Sequence, residues 1–346
     1  MLDIAKYSFV NAKIRAMLSF LLSPEQCSRL SSAKDIHECM GVLHDTPYAS
    51  LASAFEKGDY DLWGMEKELL KNDLAAYRKI LTTLASKPEK ELVSLFMQTY
   101  ELEDLKTVLR IWHKKAPVAV EDYILGEKII HDIDFKKIVS APHLEEIILL
   151  LDHTPYKKPL LAKRDTLKEK GSVFALETAL DMDYYQRLLA CIDRFSSLDK
   201  KISRRILGVA IDIENINWLI RGRKYYSLGA GDMLELIIPG GERINKETVR
   251  SVYTTNGLTK IVDSLAFGPY AKIKDLVSEN IALVESFLYE ILLSEIKRGL
   301  AGFPFTIGTV LGYLILKHRE TKIIISLLNA KQYGISKDTA VSLLGM

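Results

Sequence analysis

Cysteine is scarce in this sequence, and the three present (Cys27, Cys39, Cys191) lie far apart with no CxxC pair. An odd count at such spacing argues against a disulfide framework or a zinc site and fits a reducing compartment best. A dominant charge is missing as well. The 47 Lys and Arg nearly balance 45 Asp and Glu, leaving +2, and no aromatic stacking platform or reader motif accompanies the basic residues, so nucleic acid is not an expected partner. The longest uncharged run, 299–316, is interrupted by Gly302, Pro304, Gly308 and Gly312. Its apolar part is shorter than the roughly 20 residues needed to cross a bilayer, and it predicts a buried helix preceded by a loop. The first residues do not read as a secretory leader, because Asp3, Lys6, Lys13 and Arg15 interrupt them and Leu18–Leu22 runs into Ser-Pro. A P-loop is also lacking. The Gly229-Ala-Gly231 and Pro239-Gly-Gly241 runs do not have the spacing by which backbone amides and a Lys cradle phosphates. The histidines do not gather at ligand spacing: His131-Asp-x-Asp134 and the pair His143/His153 read as solvated or helix-capping residues, so neither a metal nor a cofactor is expected.

What is present is ample core material, 48% hydrophobic residues beside 27% charged ones, in a length that suits two or three structural units. Leu43-His-Asp-Thr-Pro-Tyr48 recurs as Leu151-Asp-His-Thr-Pro-Tyr156 and, more loosely, as Leu265-Ala-Phe-Gly-Pro-Tyr270. A second pattern, Glu101 to Arg110, returns as Asp212 to Arg221 and in degraded form as Glu320 to Asn329. Between these landmarks falls a Glu-x-x-Leu step at Glu66/Leu69, Glu177/Leu180 and Glu285/Leu288, and Gly126–Ile129 matches Gly241–Ile244. Landmarks in one order at a period near 110 residues define an internal repeat too long for a solenoid turn, so each copy is expected to be a small helical subdomain. The copies are bounded at 1–115, 116–227 and 228–346.

The reading is helical almost throughout. Leu102, Leu105, Val108, Leu109 and Trp112 share a helix face, repeated by Ile213, Ile216, Leu219 and Ile220. Asp3–Leu22, Met65–Leu84, Phe174–Phe195 and Ile281–Leu300 follow the same period, and no long alternating strand occurs. In the repeated turn, Pro ends the preceding helix and keeps Thr out of the αR region, while Tyr48, Tyr156 and Tyr270 suit a packed ring whose hydroxyl finds a partner. Tyr226–Gly231 and Pro239–Gly241 read as loops.

Glu103 and Arg110 lie two turns apart on one side of their helix, and Glu214 and Arg221 repeat the arrangement. A structural ion-pair ladder explains the recurrence better than a partner surface does. The third copy has Lys322 and Asn329 at these positions. The middle repeat is locally basic, with fifteen Lys and Arg against nine Asp and Glu from Lys157 to Lys224. Lys200, Lys201, Arg204 and Arg205 are its densest cluster, read first as a solvated face and otherwise as contact with an acidic partner or with anionic lipid.

Together, Tyr7…Asn11-Ala-Lys-x-Arg15, the paired Thr-Pro-Tyr turns, Phe174-Ala-Leu-Glu-x-Ala-Leu-Asp-x-x-Tyr-Tyr185, Asp212-Ile-x-Asn-Ile216, Ile238-Pro-Gly-Gly241 and Tyr313-Leu-x-x-Lys-x-x-Glu320 resemble the family of C-type (equivalently d-type) central-stalk subunits of vacuolar/archaeal-type ATPases over essentially the whole chain. The resemblance implies an all-α protein of three pseudo-threefold-related helical subdomains forming a funnel around a central opening. It implies a non-catalytic connector, one copy per complex, on the cytoplasmic face of the membrane between the proteolipid rotor ring and the central shaft subunits of D and F type, with the membrane stator as a further candidate partner. Two rivals are a free-standing helical adaptor and an enzyme using Asp181, Asp183 and Tyr184 or Tyr185, whose cluster reads more simply as the polar outer face of a helix.

Overall fold

Helix boundaries in this protein follow capping chemistry visible in the sequence. The structure, a computed structural model, describes residues 2–170, 172–224, 229–253, 263, 265–279 and 281–335. The first helix, α1 (Leu2–Leu18), stops short of the expected Leu22 because Ser23 and Pro24 start the next one. The Ser23 hydroxyl accepts from the Gln26 amide while the Gln26 side chain accepts from the Ser23 amide, a reciprocal cap on α2 (Pro24–Ser32). Asp35 caps α3 (Ile36–His44), Asp61 caps α5 (Leu62–Leu81), and α4 (Ala49–Glu56) lies between them. Next come α6 (Lys87–Lys114), the short helices α7 (Phe135–Ser140), α8 (Leu144–Leu150), α9 (Lys157–Ala162) and α10 (Arg164–Lys170), and α11 (Phe174–Ile192). The remainder comprises α12 (Ser197–Lys224), α13 (Ala230–Leu236), α14 (Lys246–Tyr253), α15 (Ile273–Glu279), α16 (Ile281–Ala301) and α17 (Ile307–Gln332). No strand occurs among the described residues, and the protein is all-α.

The chain divides into two compact units. One is the continuous segment Lys87–Arg194, in which α6 packs on α7 and α11, and α9 packs on α8, α10 and α11. The other joins Met1–Ser86 to Phe195–Met346. Its central element is α17, which packs on α1, α2, α3, α5, α12 and α16. The uncharged run at 299–316 becomes the end of α16, a loop and the buried start of α17. Glycine permits this close packing: an added Cβ at Gly308 would stand 2.8 Å from Ile202 Cγ2, and one at Gly312 3.1 Å from Ile296 Cγ2. Leu30, Met40, Leu43, Met65 and Leu69 from the first part of the chain share a core cluster with Ile323, Ile324, Leu327 and Leu328 from the last.

The boundaries of these units, at 86/87 and 194/195, fall at a different phase from the sequence copies, which were bounded at 115/116 and 227/228. Lys87–Arg194 takes the long helix of the first copy together with the Thr-Pro-Tyr turn of the second. The Tyr226–Gly231 loop lies partly outside the described residues.

Candidate functional site

The repeated turn is held by its threonine. Thr46 Oγ1 donates to the Leu43 carbonyl (2.6 Å) and accepts from the Tyr48 amide (3.2 Å). Thr154 does the same between Leu151 and Tyr156, at 2.8 and 3.2 Å. Threonine bonding to its own local backbone is a turn-forming habit of this side chain. The third turn lacks a threonine and is built instead on Gly268 at φ 55°, in the left-handed region that favours glycine, followed by Pro269. All three tyrosines are driven to about 1% exposure.

Each tyrosine hydroxyl donates to a buried carboxylate on a long helix. Tyr156 reaches Glu101 on α6 (2.8 Å), Tyr270 reaches Asp212 on α12 (2.8 Å), and Tyr48 reaches Glu320 on α17 (2.5 Å). These acids open the three copies of the repeated helix pattern, so every tyrosine pairs with the helix of a different sequence copy from its own. The same carboxylates also fasten a loop. Glu101 accepts from the amides of Ile130 (3.0 Å) and His131 (2.8 Å), Asp212 from Arg243 and Ile244 (2.9 and 2.8 Å), and Glu320 from Leu22. One turn further along, Asp104 takes the amides of Leu125 and Gly126, while Asn215 pairs with both the amide and the carbonyl of Ile238. Matching the carboxylates' donors sets Ile130-His131 opposite Arg243-Ile244, two residues from the register suggested by Gly126–Ile129 and Gly241–Ile244.

Each of the three pairs has its own electrostatics. Burial, then the adjacent carboxylate, pushes all three phenols above their ordinary range, so each remains a donor. Burial alone would raise Glu101, but the hydrogen bonds from His131, Ile130 and Tyr156 hold it below the usual value. His131 Nδ1 stands 2.6 Å from Glu101 Oε1, so this histidine serves a buried acid instead of being solvated or capping a helix. Asp212 is pushed up to about 6 by burial, which outweighs its bonds from Ile244, Tyr270 and Arg243. Glu320 belongs to a buried network: Lys317 Nζ donates to the Tyr48 hydroxyl and to Glu320 (3.3 Å), and lies 3.7 Å from Asp73, which accepts from Thr321 (2.6 Å).

The expected ladder between Glu103 and Arg110 is absent, because both side chains have other partners. Arg110 forms a two-pronged pair with Glu177 of α11 (2.7 and 3.0 Å), and Glu103 holds Lys106 (2.6 Å), which also bonds Asp181 (3.1 Å). A long Arg at position i reaches across to a neighbouring helix more readily than along its own helix to i−7, two full turns away. In the copy at the chain ends, Asn329 at the Arg110 position donates to Glu66 (2.5 Å). The Glu-x-x-Leu landmark thus supplies the acid that the end of the long helix binds. In the remaining copy the side chains of Arg221 and Glu285 lie outside the described residues, and Glu214 is exposed on α12.

The cluster suggested as an enzyme site is committed to packing. Asp181 pairs with Lys106, Asp183 with Arg187 (2.7 Å), and Tyr184 is buried edge-on to Tyr185. His153 Nε2 meets the Asp132 carbonyl at 2.7 Å and His143 lies 3.9 Å from Glu145. On α12, Lys201, Arg204 and Arg205 are exposed and Lys200 is half-buried; Arg205 pairs with Glu295 of α16 (2.5 and 3.2 Å). Among the described residues, no helix is long and apolar enough to cross a membrane. The buried carboxylates Glu101, Asp212 and Glu320 were visible in the sequence only as the first letters of a repeated pattern. Their signal was an acid in the same column of all three copies.

Among the described residues of this all-α protein, one tyrosine–carboxylate arrangement therefore recurs three times, once for each copy of the repeat. The family model for the ATP synthase (C/AC39) subunit matches residues 10–342, and the chain belongs to this family. It is similar to the C subunit of the A-type ATP synthase of Pyrococcus abyssi (24% identical, covering 98% of this chain and 90% of that protein). It also resembles the C subunits of the A-type ATP synthases of Methanocaldococcus jannaschii (23%; 99% and 87%) and Methanosarcina acetivorans (25%; 97% and 92%).

Proposed function

We propose that this chain is the non-catalytic central-stalk connector of a rotary V/A-type ATPase or ATP synthase. It seats the central shaft, of D- and F-type subunits, on the membrane proteolipid ring, is present once per complex, and passes torque between them during ATP-coupled proton or sodium transport. The three helical copies would form a funnel about a pseudo-threefold axis, with the shaft foot in its opening. The membrane stator is a further candidate neighbour, and the chain would lie peripherally on the cytoplasmic face.

Family membership over almost the whole chain carries this reading. The physical argument agrees with it: a torque-bearing part calls for stiffness, and a hydroxyl and backbone amides converging on a buried carboxylate give stiffness at each copy. Buried charge-assisted bonds resist shear because breaking one strands a desolvated group.

Native-level tagging, gentle membrane solubilisation and counting of the accompanying proteins tests the reading. One copy recovered with shaft and ring proteins is the expected result. A monomer recovered with neither would leave the free-standing adaptor in its place.

A further inference from the structure

None of the repeat's landmarks falls on α1, but the motif Tyr7…Asn11-Ala-Lys-x-Arg15 does, and its side chains go to the ends of other helices. Lys13 Nζ donates to the Lys79 carbonyl (3.0 Å) in the last turn of α5. Arg15 donates to the Leu300 carbonyl (3.1 Å), one residue before the end of α16. Carbonyls in the last turn of a helix have no partner within it, and a cation there also meets the negative end of the helix dipole. The Tyr7 hydroxyl donates to Asp199 (2.8 Å) in the first turn of α12. The second Asp199 oxygen accepts from the Ile307 amide (2.8 Å), the first of α17, where Thr306 makes no side-chain cap of its own. α1 therefore fastens the ends of α5 and α16, corresponding helices of two sequence copies, to the place where α12 and α17 begin.

The rest of this unit has its own means of holding together. Its core cluster, from Leu30 to Leu69 with Ile323, Ile324, Leu327 and Leu328, contains no residue of α1. α5 and α16 each pack directly on α17, as α1 does. α1 buries Tyr7, Val10 and Ile14 to at most 1% exposure, while Ser8, Phe9, Ala12 and Ala16 on its other side are exposed. The bonds of Lys13 and Arg15 lie at exposed positions. Beyond α1 the chain is pinned at Leu22 by Glu320 and at Ser23 by its reciprocal cap, so residues 19–21 join this helix to a fixed point. An element that contributes so little to the core belongs to the low end of local opening free energies.

We propose that α1 is a strap that docks and undocks as one body about residues 19–21. Docked, it holds the ends of α5 and α16 in fixed relation to the start of α12. Undocked, it uncaps both ends together while the core beneath stays folded. The device goes beyond the connector reading and does not depend on it, since the isolated chain should show it.

Hydrogen exchange of the full-length chain in low urea, resolved to single amides, tests the strap. Once undocked, α1 loses the packing from which a helix takes most of its stability, so its amides exchange. The Val10, Ile14 and Leu18 amides should share one opening, with one urea dependence, that lies below the opening of Leu43, Leu69 and Leu327 in the core cluster. The second arm reads each anchor at the opposite end. The Thr83 amide, bonded to the Ile80 carbonyl, reports the end of α5, and the Gly302 amide, bonded to the Arg298 carbonyl, reports the end of α16. Arg15→Met, which removes the bond to α16, should speed exchange at Thr83, and Lys13→Met, which removes the bond to α5, should speed it at Gly302, each by about two- to fivefold. Circular dichroism on both variants establishes that they fold. Exchange of α1 only together with the core cluster, or its amides fraying one by one, would overturn the proposal. So would variants that each move only the end they touch, which would make Lys13 and Arg15 independent caps. Recovery with shaft and ring is read separately, so failure here leaves the connector reading standing.

Discussion

A phenol next to a buried carboxylate is a small arrangement with a large penalty for disruption. Tyr156 is about 1% exposed and donates to Glu101 at 2.8 Å, so Tyr156→Phe keeps the ring packing and removes one charge-assisted bond. A loss of about 1.5–3 kcal/mol is expected, measured by urea denaturation of the protein. The two acids on α6 and α12 respond to pH in opposite directions. Asp212 titrates near 6 in the fold against 3.8 for an ordinary aspartate, so the folded form holds a proton that the unfolded chain releases. Its share of stability is greatest below about pH 4 and declines as pH rises toward 6, by about 3 kcal/mol at most. Glu101 is held below its ordinary 4.5. Its share is full above that value and is lost as pH falls through the lower folded value. Hydrogen exchange at the Ile244 and His131 amides, corrected for intrinsic rate, should show these opposite trends, and Asp212→Asn should flatten only the first.

At the scale of elements, what joins the long helices is polar lacing over an apolar seam. The pair between Arg110 on α6 and Glu177 on α11 is two-pronged but half-exposed, with the Arg side chain 46% accessible. Arg110→Ala is therefore expected to cost no more than about 1 kcal/mol, checked by the urea midpoint. Lys106 is a different case, only 10% accessible and shared by Glu103 and Asp181. Lys106→Met leaves the partly buried Asp181 without its cation and should cost more than Arg110→Ala, up to about 3 kcal/mol. The contrast between the two variants, measured in one denaturation series, separates surface pairing from interior pairing. A larger effect at Arg110 would contradict this ordering.

At the scale of the whole chain, the two units close in different ways. Lys87–Arg194 is continuous and contains its own tyrosine, carboxylate and fastened loop. Expressed alone, it should fold cooperatively, with helical circular dichroism and a single thermal transition. The other unit is closed by its ends: Glu320 takes Tyr48 and the Leu22 amide, Tyr77 donates to the Leu314 carbonyl (2.8 Å), and the 30–69 core includes 323–328. A chain ending at residue 305 should leave that core open, bind a hydrophobic dye and aggregate, because the apolar face it exposes has no other cover.

The repeat, its period, the helical class and the family resemblance were all legible in the residues, because apolar periodicity and turn chemistry are local and survive drift between copies. The three tyrosines also stood out, since a Pro-Tyr turn at the same place in each copy is a local signal. The sequence said that each hydroxyl needs a partner but not which helix supplies it. Tertiary structure decided that, joining Tyr156 to Glu101, Tyr270 to Asp212 and Tyr48 to Glu320. It likewise gave Arg110 to Glu177 in place of Glu103. These partners lie 55, 58, 272 and 67 residues away along the chain. No local propensity specifies such a choice; it is made by which buried polar group can meet its partner once the helices have packed.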